Sequence, residues 1–109
     1  MAKPTDLVHG TLDLLILRTV ANEPQHGWAI AQRIEQVSGG VLKVQQGSLY
    51  PALYRLERDG WLQTRWAETA TGRKAKFYAL TRAGRSHLER ELASWDRLSN
   101  AIDLVLKPA

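Results

Sequence analysis

The chain has 109 residues, of which 44% are hydrophobic and 24% charged, the balance of one folded globular domain and not of a disordered or fibrous segment. It has no cysteine, which excludes disulfides and thiolate metal sites and fits a reducing cytoplasm. Its formal net charge of +4 is unevenly spread: residues 43–85 hold nine Lys and Arg against three acidic residues, so that stretch is +6 and the rest of the chain is −2. This asymmetry fits a polyanionic partner met by the middle of the chain, with a plainly solvated basic surface as the competing reading.

The opening Met1-Ala2-Lys3-Pro4-Thr5-Asp6 has no apolar signal-peptide core ahead of its first charges. The aliphatic run Leu14 to Leu17 is far short of the roughly 20 residues of a membrane span, so a cytoplasmic protein is expected. Thr5 or Asp6 is a suitable cap for a first helix reaching about Asn22, with Pro4 just outside it. Leu7, Leu12, Leu14, Leu15, Ile16, Leu17 and Val20 make an apolar face wider than one stripe, which suits burial by the chain's own domain and by a second subunit. Gly10 inside this helix costs about 1 kcal/mol relative to Ala, and a close helix–helix contact would account for it.

His26-Gly27 opens a second helix to about Val37, with Ile30, Ile34 and Val37 at i, i+4, i+7. Ser38-Gly39-Gly40 ends it with glycine available for a left-handed cap. The glycine pair lacks the spacing of a phosphate cradle and follows a helix instead of preceding one. After the extended Val41-Leu42-Lys43-Val44, a third helix is expected over residues 47–58, with Leu49, Leu53 and Leu56 as its inward stripe. Pro51 is placed in the first turn, where its missing N–H is tolerated, and Ser48 is placed as an N-terminal hydrogen-bonding residue. Pro51, Tyr54, Arg55 and Arg58 face away from the stripe, and Tyr50 stands at its edge.

Gly60 stops that helix. Residues 61–66 and 76–80 are rich in strand formers, and the Thr71-Gly72-Arg73-Lys74 segment between them signals a β-hairpin with a small cationic tip. Thr81 then caps a last helix whose Leu88, Leu92, Trp95, Leu98, Ile102 and Val105 form a stripe of about five turns, ended at Lys107-Pro108. Nothing later in the sequence covers this stripe, so it is assigned to a dimer interface.

Helix, helix, helix, strand, turn, strand, helix describes a mainly α fold with a small β-hairpin (α+β). The expected architecture is a winged helix-turn-helix over residues 1–81 with a dimerisation helix over 82–109, packed as one domain. The surface expected to meet DNA comprises Gln46, Ser48, Tyr50, Pro51, Tyr54, Arg55 and Arg58 on the third helix and Arg73, Lys74 and Lys76 on the wing, residue types suited to phosphates and base edges. The competing reading packs Tyr50 against the hairpin, pairs the arginines with Glu57 and Asp59, and leaves the wing a solvated loop. A winged-helix module that docks on protein instead of DNA is the alternative from another class. Catalysis is not expected: His9, His26 and His87 lack metal-ligand spacing, His26 reads as a helix-start hydrogen bonder, and Ser48 has no nucleophile elbow. No cofactor or metal is expected either.

Taken together, Gly10-Thr11-Leu12-Asp13-Leu14-Leu15-Ile16-Leu17, His26-Gly27-Trp28, Gly47-Ser48-Leu49-Tyr50-Pro51-Ala52-Leu53, Leu56-Glu57-Arg58-Asp59-Gly60-Trp61 and Phe77-Tyr78-Ala79-Leu80-Thr81-Arg82-Ala83-Gly84 resemble the PadR family of bacterial transcriptional regulators. The resemblance covers essentially residues 7–88. Trp28 stands where the family commonly has tyrosine, and the wing lacks a proline often found there. The resemblance implies a homodimeric DNA-binding regulator, usually a repressor, in the short form with one dimerisation helix, here residues 82–106. It also suggests Trp95 as a candidate effector-binding residue, with paired indoles sandwiching a planar aromatic small molecule at the dimer seam. The plainer alternative makes Trp95 an interface core residue.

Overall fold

A computed structural model describes the backbone of residues 4–108 and the side chains of residues 10–108; the expected roles of the Thr5, Asp6, Leu7 and His9 side chains lie outside the described residues. The elements are α1 (Pro4–Val20), β1 (Gln25–His26), α2 (Gly27–Val37), α3 (Gln46–Arg58), β2 (Leu62–Glu68), β3 (Lys74–Leu80) and α4 (Arg82–Leu106). Both hairpin strands are longer than their strand-forming cores suggest, because the ladder continues through Ala67↔Ala75 to Glu68↔Lys74. A third, two-residue strand was not legible in the sequence: β1 pairs antiparallel with β3 through Gln25↔Tyr78 and His26↔Phe77, giving the sheet order β1-β3-β2. No helix among the described residues is long and apolar enough to cross a membrane.

The core forms where the apolar stripes meet. Leu12, Ile16, Leu17 and Val20 of α1, Ile30 and Ile34 of α2, and Leu49, Ala52, Leu53 and Leu56 of α3 are buried together with Leu62, Tyr78, Leu80 and Leu88. Leu14 and Leu15 are half-buried against that cluster, consistent with the wide apolar face of α1. Val37 departs from its expected place: at the last turn of α2 it is 69% exposed, because the core ends at Ile34. A Cβ added at Gly10 would meet nothing within 4 Å among the described residues, so no close helix contact among them explains this glycine.

The helix ends follow local chemistry. At Gly60, φ is +85°, and the N–H groups of Gly60 and Trp61 donate to the carbonyls of Glu57 (3.0 Å) and Leu56 (2.9 Å), the double bond of a Schellman stop. Gly39 closes α2 in the same way, with bonds from Gly39 to Gln36 and from Gly40 to Glu35. Thr81 caps α4 as expected, its hydroxyl accepting from the Gly84 N–H at 2.9 Å and donating to the Gly60 carbonyl at 2.6 Å. The start of α3 differs from expectation: Gln45 is the N-cap, without a side-chain bond, so Ser48 lies inside the helix instead of capping it. Pro51 is consequently in the second turn, and the helix forgoes the bond its N–H would donate to the Gly47 carbonyl.

Gly84 lies so close to the end of α3 that a Cβ there would overlap the Trp61 carbonyl. Trp61 also stacks on His87, with ring centroids 4.1 Å apart and planes within 5°. These contacts seat the first two turns of α4 on the α3–β2 junction, and Leu88, 5% exposed, completes the seat. Leu88 thus belongs to the chain's own core and not to the exposed dimer stripe to which its spacing assigned it. Beyond it α4 leaves the domain, giving the molecule extents of 56 × 28 × 23 Å.

Candidate nucleic-acid interface

At 100° per residue, the four buried residues of α3 define one face, and Gly47, Pro51, Tyr54 and Arg58 fall opposite it. All four are exposed, Tyr54 at 67%; Gln46 is exposed as the first residue of the helix. Tyr50, Arg55 and Ser48 stand instead on the flanks, about 90–110° from the centre of the buried face. That position decides what they touch.

Tyr50 leans on α2. A Cβ added to Gly27 would sit 2.9 Å from the Tyr50 ring, so the His26-Gly27 pair supplies the space that the phenol fills, while 45% of the residue still faces solvent. Arg55 leans on α1: its guanidinium donates to the Asp13 carboxylate at 3.0 Å, each side chain about a third exposed, at 31% and 34%. The expected outward orientation of Arg55, and its alternative pairing with Glu57 or Asp59, are both corrected by this contact. Arg58 pairs with its neighbour Asp59 at 3.2 Å and keeps 58% of its side chain exposed, open to a stronger anion. Ser48 is half-buried.

Glu57 serves the wing. Its carboxylate accepts from the Lys76 ammonium at 3.2 Å and from the Thr64 hydroxyl at 3.0 Å, bridging the last turn of α3 to both long strands. The Lys76 ammonium also lies 5.7 Å above the ring of Tyr78. Lys76 is therefore a tether of the wing, not a free wing cation. Burial raises the Tyr78 phenol above its usual pKa, with Lys76 opposing. Arg73 and Lys74 are exposed at the turn, which Thr69 closes by donating to the Arg73 carbonyl at 2.8 Å and Gly72 by donating to the Thr69 carbonyl at 2.9 Å. Of the cations and phenols expected to meet DNA, Tyr54 and Arg58 thus lie exposed on the outward face of α3, and Arg73 and Lys74 at the hairpin tip.

His26 makes no side-chain cap for α2. It packs edge-on against Phe77 at 5.3 Å and parallel to Trp28 at 6.4 Å, so its role is aromatic packing and not the helix-start hydrogen bond expected of it. Among the described residues, no group of three or more His, Cys, Asp or Glu is placed to hold a metal ion. Along α4, Leu92, Trp95, Leu98, Ile102 and Val105 are 39% to 83% exposed, an apolar stripe that the described residues leave uncovered. Trp66, which sequence reasoning placed only as a strand former, is 69% exposed on β2.

Residues 16–90 match the profile of the transcriptional regulator PadR-like family. A transcriptional regulator of Mycobacterium tuberculosis is 32% identical over 89 residues, covering 82% of this chain and 79% of the relative. Among solved structures, a PadR family transcriptional regulator from Eggerthella lenta superposes with a TM-score of 0.79 at 27% identity, covering 95% of this chain and 88% of that one. A transcriptional regulator from Clostridium thermocellum superposes with a TM-score of 0.85 over 94% of this chain and 99% of that one; at 22% identity it supports the fold alone.

Proposed function

The chain belongs to the PadR-like family of transcriptional regulators, and from that premise we propose that it acts as a homodimeric, sequence-specific DNA-binding repressor in the cytoplasm. The observation that carries this reading is the outward face of α3. Pro51, Tyr54 and Arg58 are displayed there, exposed among the described residues, with Gln46 exposed at the start of the helix, beside a turn carrying exposed Arg73 and Lys74. Phenols and guanidinium groups on an exposed helix fit base edges and phosphates of the major groove, and the cationic turn fits the flanking backbone. Tyr50 and Ser48 contribute from the flanks near the start of the helix. Arg55 and Lys76 support the interface by holding α3 and the wing in place.

The uncovered stripe of α4 supports the dimer. A second copy packed on Leu92, Trp95, Leu98, Ile102 and Val105 would remove that apolar surface from water. A two-fold pair would set the two α3 helices one DNA turn apart, roughly 34–36 Å, and the operator would be a near-palindrome. Trp95, 42% exposed on this stripe, is the candidate contact for a planar aromatic effector that releases the operator.

The test is fluorescence anisotropy of a labelled duplex, selected from a random-sequence pool by the protein, measured across a salt series. Affinity that falls steeply with salt supports the reading, since each neutralised phosphate steepens the log–log slope by about 0.9. No DNA binding together with a tight protein partner would overturn it in favour of a protein-docking module.

A further inference from the structure

We propose that Trp66 is a DNA-contacting residue that packs on the sugar–phosphate strand passing between α3 and the wing. The proposal rests on the DNA-binding reading above and adds a neutral contact to it. Leu62 faces the core, so strand alternation places Thr64, Trp66 and Glu68 on the same face of β2. The register sets Leu80, Tyr78, Lys76 and Lys74 opposite them on β3. The inner part of this face is covered: Leu62, Tyr78 and Leu80 are at most 9% exposed, and Glu57 of α3 reaches Thr64 and Lys76. At the next pair outward, Trp66↔Lys76, the cover ends on the β2 side, and the indole is 69% exposed. Trp66 therefore stands in the angle between the last turn of α3 and the hairpin tip.

The surroundings select the partner. An exposed indole next to a turn that carries exposed Arg73 and Lys74 suits a surface that is apolar and anionic in alternation. Glu68, the one acidic residue of this face on β2, is paired across the ladder with Lys74. Deoxyribose offers an apolar face and phosphate an acceptor for the indole Nε1–H, whereas an apolar protein groove offers no anion to the exposed Arg73 at the adjoining turn. With α3 in the major groove and the turn directed at the neighbouring groove, the strand that separates the two grooves passes this angle.

Trp66→Ala is expected to weaken binding of the selected duplex by about tenfold while leaving the slope of log affinity against log salt unchanged, because no charge is removed. Arg58→Ala, the control for the underlying reading, should lower both the affinity and the slope, the latter by about one. If Trp66→Ala binds as wild type while Arg58→Ala is impaired, the Trp66 assignment is overturned and the DNA-binding reading stands; if neither variant matters, both fall. A Trp66→Ala effect on sedimentation with none on DNA binding would also overturn the assignment. As a readout that does not depend on the Ala variant folding, 5-fluorotryptophan can be incorporated into the whole protein and the resonance lost in Trp66→Phe identified. Displacement of that resonance by the duplex is expected; a signal unmoved at saturating duplex would sink the assignment.

Discussion

The guanidinium of Arg55 on α3 is held by the carboxylate of Asp13 on α1 at 3.0 Å, across 42 residues of sequence. The helix proposed to meet DNA is thereby bonded to a helix whose apolar face is wide enough to take part in a subunit contact. Arg55 carries the same charge as Arg58, three residues on, yet the two have different partners and different tasks.

Arg55→Ala should lower stability by about 0.5–1 kcal/mol, read as a drop in melting temperature. Asp13→Asn should do the same, and the double variant should lose less than the sum of the two. Arg58→Ala should instead leave the melting temperature within error and lower DNA affinity and its salt slope. An Arg55→Ala variant as stable as wild type would refute the strut assigned to this pair.

Gly84 is predicted to be intolerant of any side chain. The obstruction is the Trp61 backbone and not a flexible side-chain end, so Gly84→Ala must push α4 away from the α3–β2 junction. A loss of about 2 kcal/mol or more is expected from such overpacking, together with a change in the fluorescence of Trp61, whose stack on His87 would be disturbed. Gly27→Ala should be milder, because the Tyr50 ring it meets is 45% exposed and able to turn outward.

On α4, Leu88 and Leu98 should part company. Leu88→Ala opens a cavity in the chain's own core and should cost about 2–4 kcal/mol. Leu98, 53% exposed in the single chain, can become Glu without disturbing that core. Leu98→Glu is expected to shift sedimentation from dimer to monomer with helical content retained. A monomeric wild type at micromolar concentration would remove the basis for this prediction and for the proposed dimer.

Tyr78 gives a pH dependence of definite sign. Burial favours its neutral phenol, and the nearby Lys76 ammonium only partly opposes this. The folded-state pKa lies above the unfolded value of 10.0, so the stabilisation is fully present below pH 10 and is lost as pH rises through the folded-state pKa. Denaturant titrations at rising alkaline pH should show this loss in wild type and a shallower one in Tyr78→Phe.

The sequence by itself determined the order of the four helices and the long hairpin, the stops at Gly39 and Gly60, the cap at Thr81 and most of each inward stripe, because these depend on periodicity and on neighbours a few residues away. Leu49, Leu53 and Leu56 declare a buried stripe by spacing alone; Thr81 and Gly60 declare a start and a stop by their own chemistry. Only the tertiary structure decided which cations are engaged within the fold. Arg55 and Lys76 read as DNA contacts by residue type, yet one meets Asp13 and the other Glu57, partners brought near by helix and sheet packing. It likewise decided that Leu88 is core, that Gly27 and Gly84 are the floors of close contacts, and that Trp66 lies just beyond the cover of α3. A residue's type states the interactions it is able to make; the distances that select among them arise only when elements far apart in sequence pack together.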